Sequence, residues 1–475
     1  MTRFRLIIGT AMGAALCATS VLAQDNAPED LLPPEPAKVS EPLPDYTKGA
    51  PAPSAQPSVD ESFDDMRMSS GEVVQQLPVL VREWSLADAR KLLAFIPTVE
   101  AEGLRPQDYR SADLAAAIAA GEGAALNEIA SEVFIWLVED LRDGRTPMEA
   151  RKQWFVVDPD PDRMPTHRLL EAATQTGKIA ETLAALNPDS PDYARLKEEL
   201  AVTTDPAKRK LIRANMDRWR WLGQDLGKQY LLTNVPEYQL RLTVNDRIIK
   251  NYRVVVGKPG RTATPQLAEM VEAVIFNPTW TVPQSIVKGE GLGAKVLGNP
   301  GWARAAGYKA TKGANGWVTV VQQPGPGNSL GLMKLDMPNE HAIFLHDTPA
   351  KALFARDDRA LSHGCIRVQG ARELAMTMSM LGNAKSREDL PAIQEEVSAI
   401  TASGEYTRYP MAKQWPVYIT YFTYGVDVNG NLTKFDDIYG RDAPVLAALD
   451  APRQRERARE TSEEVIEIVD DLQTS

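Results

Sequence analysis

The apolar positions change period once along the chain. From about residue 70 to 202 they recur at helical spacing. Ile129, Val133, Trp136, Leu137 and Leu141 fall on one helix face, and that helix should stop near Asp143-Gly144, ahead of Pro147. Leu86 to Ile96 is a compact apolar segment before Pro97, and a helix pair is expected over His167 to Leu186 and Ser190 to Leu200. Residues 203–228 read as a polar connection with a short helix carrying Trp219, Trp221 and Leu222.

From Gln229 the period drops to two. Tyr238, Leu240, Leu242 and Val244 alternate with polar residues, Asn245-Asp246 makes a turn, and Ile248 to Val256 returns as the second strand of a hairpin. Further strands are expected at Ala273 to Asn277, Trp317 to Gln322, Ala342 to His346 and Val417 to Val426. The last turns at Asn429-Gly430 and returns over Leu432 to Phe435. A helix from Arg372 to Leu381 interrupts them. The pattern predicts an α+β chain, with a helical domain over 70–202, a connecting segment over 203–228 and a mainly β domain over 229–445. Residues 446–475 read as a charged, solvated tail.

Composition narrows this picture. The chain has 475 residues, 43% of them apolar and 25% charged, which suits a soluble protein of several domains. A net charge of −11 gives no general attraction to nucleic acid or an anionic membrane. At the N-terminus, Arg3 and Arg5 precede an apolar stretch from Leu6 to Val21, and Val21-Leu22-Ala23 resembles a cleavage site before Gln24. Residues 1–23 are therefore expected to be a signal peptide. The stretch is broken by Gly9, Thr10, Gly13 and Ser20, so no stable membrane insertion is expected after cleavage. Leu16 before Cys17 is a poor fit to a lipidation site. Residues 24–69 form a proline-rich linker expected to be disordered, with nine of the 34 prolines between Gln24 and Asp60.

Export would leave Cys365 as the single cysteine, without a disulfide partner. Three of the four histidines lie between positions 341 and 363. Ser362-His363-Gly364-Cys365-Ile366-Arg367 joins a thiol, an imidazole, a glycine and a guanidinium. Cysteine attack on a carbonyl needs a base within reach, N–H donors for the oxyanion and close substrate approach. His346, at the mouth of an apolar strand, is the candidate base. His363, next but one to Cys365, is read as shaping the loop or contacting substrate, and His341 and His167 as structural. A buried inert cysteine is the competing reading. A zinc site of His346, His363 and Cys365 is a second alternative, with spacing too close for the usual structural sites and no evident fourth ligand.

At these residues the sequence resembles the L,D-transpeptidases with a YkuD-type catalytic domain. His346, fifteen residues and then Ser362-His363-Gly364-Cys365-Ile366-Arg367 carry the resemblance. Val256-Gly257-Lys258-Pro259 with Thr264-Pro265, Phe276-Asn277-Pro278-Thr279-Trp280 and His346-Asp347-Thr348-Pro349 extend it. Asn215-Met216-Asp217-Arg218-Trp219 and Asp437-Ile438-Tyr439-Gly440-Arg441-Asp442 are similar to the larger Gram-negative subgroup. Gly103-Leu104-Arg105-Pro106 and Asp143-Gly144-Arg145-Thr146-Pro147 are similar to that subgroup's scaffold domain. The small peptidoglycan-binding module common in larger members has no room before Asn215.

The resemblance implies 3→3 cross-linking of peptidoglycan stem peptides of the meso-diaminopimelate type, in the periplasm, with no cofactor and no metal. Cys365 would form the thioester acyl-enzyme, with His346 as acid and base. The backbone carbonyl of Asp347 would orient the imidazole, and the N–H groups of Gly364 and Cys365 would hold the oxyanion. Ser362 and His363 complete the orienting set. Arg367 either holds a substrate carboxylate or braces the loop. A thiol hydrolase using the same residues, a papain-like protease and a non-catalytic wall-binding scaffold are the alternatives. The papain order, cysteine before histidine, is reversed here. No protein partner follows from the sequence.

The stretch Gln284 to Gly316 carries Lys288, Lys295, Arg304, Lys309 and Lys312 against Glu290, a local charge of +4. It reads either as a solvated loop or as a lid. As a lid, Gly289, Gly291, Gly293 and Gly298 would give flexibility, and Trp302 and Tyr308 apolar cover. Trp280, Lys288, Lys295 and Arg367 are the substrate-binding candidates.

Overall fold

The computed structural model describes residues 80–156 and 160–453. The expected signal peptide over 1–23, the linker over 24–69 and the tail beyond 453 lie outside the described residues. The helical part comprises α1 (Leu86–Phe95), α2 (Ser111–Ala120), α3 (Ala124–Arg142), α4 (Asp160–Arg163), α5 (Thr166–Thr176), α6 (Ile179–Ala184) and α7 (Pro191–Val202). Its core forms around α3, whose Val133, Phe134, Leu137 and Leu141 are fully buried against Leu92, Leu114 and Leu170. The helical spacing read in the sequence is this buried stripe.

Helix α8 (Pro206–Trp219) joins the two parts, with Asp205 capping its N-terminus through Ala207 N and Lys208 N. Its Asp217 carboxylate accepts the backbone N–H of Arg145 at 2.7 Å, that of Thr146 at 3.0 Å and Trp221 Nε1 at 3.0 Å. Gly144 beside them has φ +88°, and a Cβ there would lie 2.8 Å from the Trp221 ring. The two motifs around Gly144 and Asp217 are thus halves of one joint.

The C-terminal part holds fourteen strands among the described residues. Strands β1 (Gln229–Asn234), β2 (Gln239–Val244), β3 (Arg247–Gly257) and β4 (Leu267–Phe276) come first. The β2–β3 turn has φ 48° at Asn245 and 59° at Asp246, the left-handed pair that a tight hairpin requires. An inserted unit follows, with β5 (Trp280–Thr281), α9 (Leu292–Gly298), α10 (Pro300–Ala305), β6 (Tyr308–Lys312) and β7 (Val318–Gln322). Then come β8 (Met333–Asp336), β9 (Leu345–His346), β10 (Ala360–Ser362), β11 (Ile366–Val368), α11 (Ala371–Asn383), α12 (Leu390–Ser403), β12 (Thr407–Thr420), β13 (Tyr424–Val426), β14 (Leu432–Lys434) and α13 (Asp442–Asp450).

Nine strands form one mixed sheet in the order β10-β3-β11-β9-β8-β4-β12-β1-β2, and β2 also pairs with β3. The sheet therefore closes on itself, with β10 appended to β3. Pairs β1–β12, β9–β11 and β3–β10 are parallel. Leu335, Leu345, Ile366 and Val368 face a core shared with Leu374, Ala375 and Met378 of α11. The molecule is α+β, a helical N-terminal region followed by a mixed-sheet region with helices.

Three expectations need correction. The strand expected from Ala342 is confined to Leu345 and His346, because Ala342 has φ +52° and Asn339 ties the preceding turn through its side chain. The stretch Gln284 to Gly316 is no open loop. Together with its flanking strands it has its own core of Val282, Ile286, Val287, Leu292, Val296, Ala303, Tyr308 and Val320. Gly293 packs there, since a Cβ would lie 2.8 Å from Val287 Cγ1, and Tyr308 is buried inside the unit. Finally, the charged tail does not begin as a solvated segment. Helix α13 buries Val445 and Leu449, and Arg453 reaches back to α3, with Nη2 2.9 Å from Glu139 and Nε 3.0 Å from Asp140.

Candidate active site

Strands β9 and β11 run parallel with Ile366 opposite Leu345 and Arg367 opposite His346. Antiparallel β8 sets Lys334 opposite His346. Paired residues share a face and alternate residues do too. Leu345, Ile366 and Leu335 turn into the core, so Lys334, Phe344, His346, Cys365 and Arg367 share the other face. This register places Cys365 beside Phe344, one pleat diagonal from His346. Burial follows the alternation: Ser362, Gly364, Ile366 and Val368 are buried, while His363, Cys365 and Arg367 are half-buried.

His346 is 4% exposed, and its Nδ1 lies 2.5 Å from the Asp347 carbonyl oxygen. That contact makes Nδ1 the protonated nitrogen and leaves Nε2 as the acceptor. Burial, aided by the nearby Arg367 charge, drives the imidazole down to about 3. The Asp347 side chain is tied on its own account: Leu332 N–H donates to its Oδ2 at 3.1 Å, and Lys351 pairs with Oδ1. Gly331 beside it has φ +62°, and a Cβ there would lie 2.5 Å from the Asp347 side chain.

The Cys365 thiol lies 3.5 Å from Ala342 O. Burial raises its pKa above the ordinary cysteine value, against the backbone N–H of Phe344 and the charges of Lys334 and Arg367, which favour the thiolate. With the imidazole depressed and the thiol raised, the resting pair at neutral pH is thiol and neutral imidazole. Lys334, whose ammonium lies 3.9 Å from the Phe344 ring centroid, was missed in the sequence. Its signal was there: Met333-Lys334-Leu335-Asp336 alternates, but over only four residues.

Ser362 holds the loop. Its hydroxyl donates to Cys365 O at 2.6 Å and accepts the Gly364 N–H at 3.2 Å. The Gly364 N–H, expected to face an oxyanion, thus has another partner. The Cys365 N–H has no acceptor among the described residues. His363 turns away from proton transfer, with Nε2 3.0 Å from Glu290 Oε1 on the inserted unit. Burial lowers its pKa, with Glu290 acting in the opposite sense. His341 packs against Phe155, with ring centroids 4.0 Å apart and the planes tilted by 31°.

Trp280 packs on the core of the inserted unit. Lys288 lies 4.3 Å from the Trp317 ring centroid and Lys295 4.0 Å from that of Trp302. These three make no polar contact with Cys365 or His346 among the described residues. No group of histidine, cysteine and carboxylate side chains there is placed to hold a metal. No helix there is long and apolar enough to cross a membrane.

Beside the turn that carries Ala342, Glu269 of β4 faces Glu340. Burial, then repulsion from Glu340, raises the Glu269 carboxyl to about 7. The folded state thus binds this proton more tightly than the unfolded chain. Its stabilising share is complete below the ordinary carboxyl value near 4.5 and is lost as pH rises through about 7. Glu269→Gln should therefore raise Tm by about 1–3 °C at pH 8 and leave it unchanged at pH 4, as read by calorimetry. An equal shift at both pH values would contradict this.

Residues 228–383 match the family model of the L,D-transpeptidase catalytic domain, YkuD. Residues 81–200 match that of the Scaffold domain. The chain thus carries a YkuD L,D-transpeptidase catalytic domain behind a Scaffold domain. A putative L,D-transpeptidase of Haemophilus influenzae is 30% identical over 234 residues, which cover 46% of this chain and 45% of that protein. The chain therefore spans somewhat under half the length of the curated relative it matches. Among solved structures, an L,D-transpeptidase from Mycobacterium smegmatis is 10% identical, covering 41% of this chain and 58% of that one, with a TM-score of 0.20. L,D-transpeptidase 1 of Mycobacterium tuberculosis is 8% identical over 41% and 61% of the two chains, with a TM-score of 0.18.

Proposed function

We propose that the protein is a peptidoglycan L,D-transpeptidase that forms 3→3 cross-links through a thioester on Cys365, after export to the periplasm. The observation that supports this best is the shared face of Cys365 and His346, with His346 Nδ1 tied to the Asp347 carbonyl. As the sulfur attacks the carbonyl of the third stem residue, its proton passes to His346 Nε2. The negative charge on the tetrahedral oxygen is met by the Cys365 N–H. The His346 imidazolium then protonates the departing D-Ala amine, and the thioester forms. A second stem peptide offers its side-chain amine, His346 takes that proton, and the sulfur leaves with the proton returned to it.

At neutral pH the imidazole, lowered to about 3 by burial and the Arg367 charge, is unprotonated, so Nε2 is open to the thiol proton. Arg367, on the same face, is the candidate for a substrate carboxylate in this reading. The cationic inserted unit, touching the catalytic loop through Glu290 and His363, is the lid of this reading, with Trp280, Lys288 and Lys295 as its substrate-binding candidates. Incubation with a disaccharide-tetrapeptide should yield a dimer lighter than two donors by one molecule of D-alanine, read by mass. Tripeptide with free D-Ala and no dimer would make the protein an L,D-carboxypeptidase, and unchanged donor would remove the catalytic reading.

A further inference from the structure

We propose that Thr264 is a positioning residue for the oxyanion-binding N–H of Cys365. The inference rests on the acyl-transfer reading. A trans peptide is planar, so the Gly364 carbonyl and the Cys365 N–H point in opposite directions and turn together. Whatever fixes the Gly364 oxygen therefore aims the Cys365 N–H. Thr264 Oγ1 donates to that oxygen at 2.7 Å. The same Oγ1 accepts the Gly257 N–H at 2.8 Å, which fixes where its own proton points.

Thr264 is fully buried, and each of its polar atoms has a partner. Its N–H donates to Tyr439 Oη at 3.2 Å, and its carbonyl accepts from Arg441 Nη2 at 3.1 Å. Tyr439 closes the loop by donating to Gly257 O at 2.6 Å. Gly257 has no room for a side chain, since a Cβ would lie 1.9 Å from Thr262 O. This close approach lets the 262–264 backbone lie against β3 and carry the hydroxyl under the catalytic loop.

The restraint has something to hold. Gly364 has φ +116°, in the region that glycine tolerates and other residues rarely adopt. Ser362 fixes the peptide planes on either side, through Gly364 N and Cys365 O. Only the central plane, with the Gly364 carbonyl and the Cys365 N–H, depends on Thr264. Three sequence motifs that the chemistry of Cys365 and His346 leaves unused, around Gly257, Thr264 and Tyr439, thus converge on one peptide plane.

The test compares two reactions of the same thiol in the full chain. Acylation by a carbapenem passes through an oxyanion; alkylation by iodoacetamide does not. Thr264→Val keeps the shape and removes the hydroxyl, and Thr264→Ser keeps the hydroxyl. In Thr264→Val, acylation should fall about 10–100-fold, less than the loss of a whole oxyanion donor, while alkylation at matched pH stays within about twofold. Thr264→Ser should recover most of the acylation rate. Equal losses in both reactions, unchanged acylation, or a serine variant no better than valine would overturn the proposal. If Thr264→Val does not fold, Tyr439→Phe removes the hydroxyl behind it. Acylation lower by about threefold with unchanged alkylation then supports the role, and unchanged acylation overturns it. A wild-type chain that alkylates but never acylates would instead overturn the acyl-transfer reading, and this one with it.

Discussion

Cys365→Ala should abolish covalent adduct formation with a carbapenem while the protein stays folded. The family resemblance makes a carbapenem the acylating probe, and intact-mass spectra read the adduct. The chain outside the expected signal peptide has no second thiol to take over. The fold should tolerate the change, because Cys365 is half-buried and its approach to Ala342 O, at 3.5 Å, is weak. The expected loss of stability is about 1 kcal/mol or less. In the wild-type protein, iodoacetamide alkylation should rise with pH through an inflection above the ordinary cysteine range, because burial raises the thiol pKa. An adduct on the alanine variant would displace Cys365 as nucleophile. An inflection below the ordinary cysteine value would mean that a resting thiolate, rather than a thiol, opens the reaction.

His346→Ala should cost about 10²–10⁴-fold in single-turnover acylation, the usual range for a lost general base. His363→Ala and His341→Ala should cost far less. His363 points its Nε2 at Glu290, and His341 lies against Phe155. The pH profile carries a second expectation. A histidine with an ordinary value near 6.5 would impose an acid limb there. His346 is held at about 3 by burial and the Arg367 charge, so acylation should stay level from pH 7 down to about 4. The sign for stability follows from the same shift: the folded state binds this proton less tightly, so stability is lost as pH falls from 6.5 through about 3. A larger loss in His363→Ala, with a shifted thiol pKa, would exchange the two roles.

What the sequence revealed and what it hid differ in range. The β2–β3 hairpin was legible because its alternation runs over many residues and its turn residues tolerate left-handed φ. Helix α3 was legible because five apolar residues repeat on one face. Cys365 and His346 stood out by chemistry, since the residue types are rare in this chain. Strand β11 was hidden, because three residues carry no period, and β9 was read too long, from Ala342 rather than Leu345. The antiparallel pairing of β8 with β9, rather than any local pattern, brings Lys334 to the face of the thiol, whereas Arg367 is next but one to Cys365 in the sequence. The Gln284 to Gly316 stretch misled because its glycines read as freedom, whereas Gly293 is there for close packing. The Arg453 contact was illegible for a different reason: a charged segment looks solvated until its partners are found.

That contact has a consequence for the order in which the chain is made. Asp140 belongs to the core helix of the first domain, yet Arg453, the cation that meets it, stands 313 residues later. Protein chains emerge N-terminus first. The helical domain therefore gathers its apolar core early, with the Tyr109 hydroxyl already donating to Asp140 at 2.9 Å. Arg453 comes last and adds a cation to this carboxylate. The contacts of α3 are complete only once residue 453 has been made.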